Sequence, residues 1–92
     1  MQKHLHTQDQ ALLRELLVEL RVQAKLTQVE LASRLAWEQT HISRVERGVR
    51  RLDVLELRSW VQAIGISLSD FVEMLERRLE ANTPPLLISS ET

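Results

Sequence analysis

Apolar residues recur at i, i+3, i+4 spacing in five stretches of this 92-residue chain, and little interrupts them, since Gly and Pro number only two each. That spacing stacks side chains along one face of a helix, so each stretch reads as an amphipathic helix with one face for a core. The residues between the apolar positions are mostly Glu, Gln, Arg and Ala, which lose little on entering a helix. A chain of this length holds one core and not two. The expected fold class is all-α, with five helices.

The first segment runs from about Gln8 to Gln23, with Leu12, Leu13, Leu16, Leu17 and Leu20 inward. Thr7 and Gln10 form a capping-box signature at its start. In the second, Thr27 is the N-cap, Glu30 follows three residues on, and Leu31, Ala32 and Leu35 face inward. The third, about Gln39 to Arg47, offers only Ile42 and Val45 as inward residues and stops at Gly48. So short and polar a helix must be held by its neighbours, which leaves its outer face free. Asp53 caps the fourth, with Val54, Leu57, Trp60, Val61 and Ile64 inward and Gly65 at its end. Ser67 and Asp70 open the fifth, which carries Leu68, Phe71, Val72 and Leu75 and fades near Ala81 before Asn82-Thr83-Pro84-Pro85. Residues 1–7 are expected to be a flexible start, 8–81 the domain, and 82–92 a mobile or dimer-related tail with an apolar patch at Leu86-Leu87-Ile88.

Composition removes whole classes of function. Cysteine is absent, so disulfides, thiolate catalysis and Cys-based zinc sites go together. There is no glycine-rich phosphate loop, no Ser-His-Asp set at workable spacing and no metal-ligand cluster beyond the incidental His4-Leu5-His6. The chain is therefore expected not to be an enzyme and to need no cofactor or metal. No apolar run approaches the ~18–20 residues that cross a bilayer, and the first ten residues lack a signal peptide's apolar stretch, so no membrane partner and a cytoplasmic location are expected.

The net charge of -1 hides an uneven distribution. Residues 1–33 balance to zero. Residues 34–52 hold five arginines against two glutamates, a net +3, and residues 53–92 hold seven acids against three arginines, a net -4. A basic middle is joined to an acidic C-terminal part.

From Thr27 to Gly48 the order is a helix, a tight turn and a second helix with a polar outer face, the layout of a helix-turn-helix. Leu26-Thr27-Gln28-Val29-Glu30-Leu31-Ala32 resembles the L-T-Q-x-E-L-A opening of that motif in the XRE family, the Cro/CI-type or lambda-repressor-like regulators. Ile42-Ser43-Arg44-Val45-Glu46-Arg47-Gly48 resembles its I-S-x-x-E-x-G ending, and Ala63-Ile64-Gly65-Ile66-Ser67-Leu68 the corner before its fifth helix. The three fragments stand in register over residues 12–78. The resemblance implies a five-helix lambda-repressor-like domain that binds double-stranded DNA with helices two and three.

Under that resemblance, Gln39, Thr40 and Arg44 are expected to reach base edges in the major groove, where Gln suits adenine and Arg suits guanine. His41 is open between a base contact, a phosphate contact and no role. Thr27 and Gln28, at the start of the second helix, are expected to hold a phosphate. Ser43 either donates to a phosphate or satisfies its own helix. Arg47, Arg50 and Arg51 are expected along the sugar–phosphate backbone. Glu46 resembles the family's buried glutamate, paired here with Arg21, a clamp rather than a DNA contact.

Two positions depart from the family pattern. Ala36 replaces the usual turn glycine, where φ > 0 on a non-glycine costs about 1 kcal/mol. Glu38 stands where Ser or Thr caps the recognition helix, so either the turn differs or Glu38 reads a cytosine amino group. Trp37 fills a small-aliphatic position as a core or lid residue. The resemblance implies a transcriptional regulator, a repressor acting as a homodimer on a pseudo-palindromic operator. The alternative is an antitoxin or other protein-binding module using the fifth helix and the tail to hold a partner such as a toxin.

Overall fold

A computed structural model of the chain describes residues 2–82, with side chains from residue 7 onward. It contains α1 (Gln2–Gln23), α2 (Gln28–Leu35), α3 (Gln39–Glu46), α4 (Val54–Ala63) and α5 (Leu68–Ala81), and no strand among the described residues. Three helix starts follow the expected chemistry. Thr27 and Asp53 each close a full capping box with Glu30 and Glu56, and the Ser67 side chain accepts from the Asp70 N–H.

The start of α1 differs from expectation. The helix begins at Gln2, so Thr7 lies inside it and is not its N-cap, and residues 2–7 are helical rather than a loose leader. Residues 2–7 contain no Gly or Pro, so nothing there stops the helix from extending toward its N-terminus. The Leu86-Leu87-Ile88 patch and the tail beyond Asn82 lie outside the described residues.

Four helix ends share one reversal. At each, one residue takes the left-handed conformation, its N–H reaches three residues back, and the next N–H reaches five back, as in a Schellman motif. The left-handed residues are Lys25 (φ 63), Ala36 (φ 58), Gly48 (φ 82) and Gly65 (φ 91). Ala36 thus adopts the strained conformation that its place in the turn requires. Lys25 does the same without any local signal in the sequence.

The core draws on every helix: Leu16, Leu17 and Leu20 from α1, Leu31 and Ala32 from α2, Ile42 and Val45 from α3, Trp60 and Val61 from α4, Phe71 from α5, and Leu26 and Ile64 from the connections. Among the described residues no polar or charged residue is fully buried. Trp37 is half-buried against this core, its ring edge-on to Trp60 with centroids 6.2 Å apart. Leu12 and Leu13 are half-buried at its margin. Val54 and Val72, expected inward, stand in water at 63 % and 42 % exposure. Val54 sits in the first turn of α4, beyond the core's edge. Val72 is one residue, about 100° of helix, past Phe71, which takes the inward place.

Candidate nucleic-acid interface

The second and third helices meet at a hydrogen-bonded chain of side chains. Arg21 Nε donates to Glu46 Oε2 at 2.7 Å, and Arg21 Nη2 to Glu46 Oε1 at 3.0 Å, a bidentate pair. Its third nitrogen, Nη1, donates to the Leu26 carbonyl at 2.7 Å. Glu46 Oε1 also accepts from Gln28 Nε2 at 2.9 Å. Gln28 Oε1 in turn accepts from Gln39 Nε2 at 2.8 Å. The side chains of Arg21 and Glu46 are only 12 % and 7 % exposed, so the pair fixes α3 against α1 in a place where an unpaired charge would be costly.

That chain ends at the N-terminus of α3, on the face the core leaves free. Gln39, Thr40 and Arg44 are all exposed there, carried by a helix anchored through buried Ile42 and Val45. Glu38 is the N-cap by backbone conformation (φ -79°, ψ 147°) but makes no side-chain cap hydrogen bond. The His41 N–H donates to the Glu38 carbonyl at 3.0 Å, so it is the Gln39 and Thr40 N–H groups that keep their donors for another acceptor. At the start of α2, the Thr27 hydroxyl oxygen accepts from the Glu30 N–H at 3.1 Å, leaving its O–H free to donate.

His41 does not join the exposed face. Its ring stacks on Trp37 with centroids 4.3 Å apart and planes 16° from parallel, and its Nε2 is buried without a hydrogen-bond partner. The indole at position 37 holds the imidazole by stacking, so to the three roles left open for His41 the geometry adds a fourth, a packing contact with Trp37. Ser43 is half-buried and its Oγ accepts from Arg47 Nε at 3.3 Å, the within-helix alternative left open by sequence.

The loop arginines separate. Arg50 Nη2 donates to Glu56 Oε2 at 3.0 Å and Nη1 to Glu56 Oε1 at 3.3 Å, with a further bond from Nη1 to the Arg51 carbonyl. The Arg50 hydrogen bond, helped by the Asp53 N–H, holds the Glu56 carboxyl below the usual carboxylate range, and Glu56 raises Arg50 in return. Arg50 is thus paired with α4, and Glu56 competes for the guanidinium expected along the sugar–phosphate backbone. Arg51 and Arg44 are exposed without such a partner.

One basic residue escaped the reading of the sequence. The guanidinium of Arg14 lies directly over Gly48, where a Cβ would come 2.8 Å from Nε and 2.9 Å from Cζ. Its spacing was a usable signal: Arg14 and Arg21 are seven residues apart, hence on one face of α1, and Arg21 meets α3. Among the described residues no group of three or more Asp, Glu or His side chains is placed to hold a metal ion, and no helix is long and apolar enough to cross a membrane.

Comparison with known proteins places this arrangement. The helix-turn-helix family model matches residues 17–71. The XRE-family like protein from Pseudomonas syringae pv. tomato str. DC3000 is 38 % identical, with 90 % of this chain and 96 % of that one covered and a TM-score of 0.75. The wild-type restriction-modification controller protein C.Esp1396I is 26 % identical over 75 % of this chain and 91 % of its own, at a TM-score of 0.70. The tetramer of that controller protein in complex with its natural 35 base-pair operator matches at 25 % identity, 77 % and 93 % coverage and a TM-score of 0.71. A comparison with curated proteins found no match. The chain belongs to the XRE family of lambda-repressor-like, helix-turn-helix DNA-binding regulators.

Proposed function

We propose that this chain is a sequence-specific double-stranded DNA-binding repressor of transcription, acting as a cytoplasmic homodimer on a pseudo-palindromic operator. The observation that carries the reading is the free face of α3. Gln39, Thr40 and Arg44 stand exposed there, and Gln39 is held by the Gln28–Glu46–Arg21 chain rather than left to rotate. A preset amide and an exposed guanidinium on one helix face fit base edges in the major groove. Thr27, Gln28, Arg47 and Arg51 flank that face and are proposed to contact phosphates, and Glu38 to contribute to base choice.

One protomer supplies too few base contacts for useful discrimination. Val54, Leu55 and Val72 are apolar side chains that α4 and α5 leave in water, Leu55 at 71 % exposure, and they support pairing through those helices. Two recognition helices related by a two-fold axis would then sit about 34–36 Å apart, one turn of DNA. A mobility-shift assay on the DNA upstream of the chain's own gene, at low and high salt, tests the reading. A retarded dimer band that Arg44→Glu abolishes is expected. No shift at low salt, or a shift indifferent to Arg44→Glu, would turn the reading toward a protein-binding module.

A further inference from the structure

We infer that Arg14, a residue of α1 outside the helix-turn-helix, holds a phosphate of the DNA backbone, so that the interface extends past the C-terminal end of α3. The inference rests on the DNA-binding reading above and adds a contact that reading does not contain.

The turn after α3 is shaped for this guanidinium. Gly48 has φ +82, and a Cβ there would meet Nε, Cζ and Cδ of Arg14 at 2.8, 2.9 and 3.2 Å. The bare Cα of Gly48 leaves room for the Arg14 guanidinium to lie against the turn, and a side chain there would displace it. Beside it is a cleft of about 130 Å³ whose lining includes Leu13, Leu17, Arg50 and Arg51, and among the described residues no acidic side chain lines it. Among the described residues, Arg50 is the one of its three arginines in an ion pair, with Glu56. Arg14 is half-buried and Arg51 exposed, and among the described residues no carboxylate lies within ion-pair reach of either. Arg14 also borders a second cleft with Glu15, Glu19 and Glu46, none of them within ion-pair reach, so on the Gly48 side it and Arg51 are two cations without a direct ionic partner, and they repel each other. An oxyanion between them removes that repulsion, and the guanidinium fork matches phosphate oxygens.

Placement selects the source of the phosphate. Arg21 and Arg14 share one face of α1, about 10.5 Å apart along the axis. Arg21 meets Glu46 near the end of α3, and Arg14 meets Gly48 just beyond it. With α3 in the major groove, the loop after it stands beside the sugar–phosphate backbone. Arg14 reaches that backbone from the α1 side and is kept from base edges by α3 itself. It contributes affinity without sequence choice.

The test is a salt titration of full-length chain on a labelled mixed-sequence duplex of about 30 base pairs, roughly three helical turns. Each phosphate contact adds about 0.9 to the slope of log affinity against log salt, so between about 50 and 200 mM the unsubstituted chain should lose roughly 3.5-fold more affinity than Arg14→Gln. Arg14→Lys, which keeps the charge, should retain the slope. Arg77→Gln, which removes an equal charge from α5, should leave it unchanged. An unchanged slope in Arg14→Gln overturns the assignment, as does an equal drop in Arg77→Gln, which would make it a net-charge effect. Circular-dichroism melting reports whether the variants fold, and Arg14→Met, which keeps the apolar stem over Gly48, repeats the titration if the glutamine variant does not. Inorganic phosphate that raises the melting temperature of the unsubstituted chain but not of Arg14→Gln, with equal DNA slopes, would make the cleft a free-anion site and overturn the DNA contact. Failure of the unsubstituted chain to bind the duplex at low salt removes the DNA-binding reading itself, and this contact with it.

Discussion

Four residues turn the chain at helix ends, and two of them are the wrong type for the conformation they adopt. Lys25 and Ala36 hold φ of 63° and 58°, where a side chain crowds the backbone at a cost of about 1 kcal/mol. Replacing either by glycine relieves that strain but gives the unfolded chain more freedom to lose. Ala36→Gly and Lys25→Gly are each expected to raise the unfolding free energy by about 0.5 kcal/mol, read from urea denaturation midpoints at constant slope. The two native glycines should differ when replaced by alanine. Both hold positive φ, so each alanine is expected to destabilise by about 1 kcal/mol, and only Gly48→Ala also displaces the Arg14 guanidinium, since at Gly65 a Cβ would stand in open space. The turn at Ala36 was legible from the sequence because the family's glycine position marks it. The turn at Lys25 was not, because nothing local to Ala24-Lys25 favours a left-handed residue. The reversal there is dictated by how α1 and α2 must meet to bury Leu20, Leu26 and Leu31.

Among the elements, α3 depends most on its surroundings. It has eight residues, two of them buried, and its N-cap Glu38 makes no capping bond, while α2 and α4 each begin with a complete capping box. Its stability comes from Ile42 and Val45 in the core and from the side chains that bind it to α1 and α2. A serine at position 38 would satisfy one free N–H, so Glu38→Ser is expected to stabilise the fold by about 1 kcal/mol, seen as a higher urea midpoint. It also removes a carboxylate from the DNA-facing end of α3. If Glu38 reads a base, the same variant binds mixed-sequence DNA more tightly while losing preference for the operator, and competition between the two duplexes measures both. Capping was legible at Thr27, Asp53 and Ser67 because it is a contest among neighbours within four residues. The sides taken by His41, Arg50 and Arg14 were not, because each is decided by a group on another element or turn: the Trp37 ring, the Glu56 carboxylate and the bare Cα of Gly48.

Across the whole molecule the charge runs from a basic centre to an acidic C-terminal part, and among the described residues two ion pairs besides Arg21–Glu46 join its elements. Arg78 of α5 bonds Glu19 of α1 at 2.6 and 2.9 Å, and Arg50 in the loop after α3 bonds Glu56 of α4. In both, the arginine's hydrogen bond holds the carboxyl below the ordinary glutamate value of about 4.3. A carboxyl whose pKa is lower folded than unfolded stabilises the fold once pH exceeds its unfolded value. That stabilisation is lost as pH falls through the folded value. The share of stability that these two carboxyls supply should therefore be fully present and level from about pH 7 to pH 5 and decline below about pH 4.3. Glu19 is exposed at the surface, its side chain 46 % accessible, and its share is screened. Glu56 is better placed, since its carboxylate serves both Arg50 and the Asp53 N–H. Glu56→Gln should unfold at lower urea than the unsubstituted chain at pH 7, and the gap should close as both are titrated toward pH 3, where Glu56 is protonated and glutamine mimics it. A gap that stays constant with pH would mean that Glu56 acts through packing alone. The same variant frees Arg50 at the rim of the Arg14 cleft, adding an uncompensated cation where a phosphate is proposed to sit. Its DNA affinity should then rise, with a steeper salt dependence, even as its stability falls. A loss of affinity instead would mean that Glu56 is needed to hold the loop after α3 in its DNA-facing place.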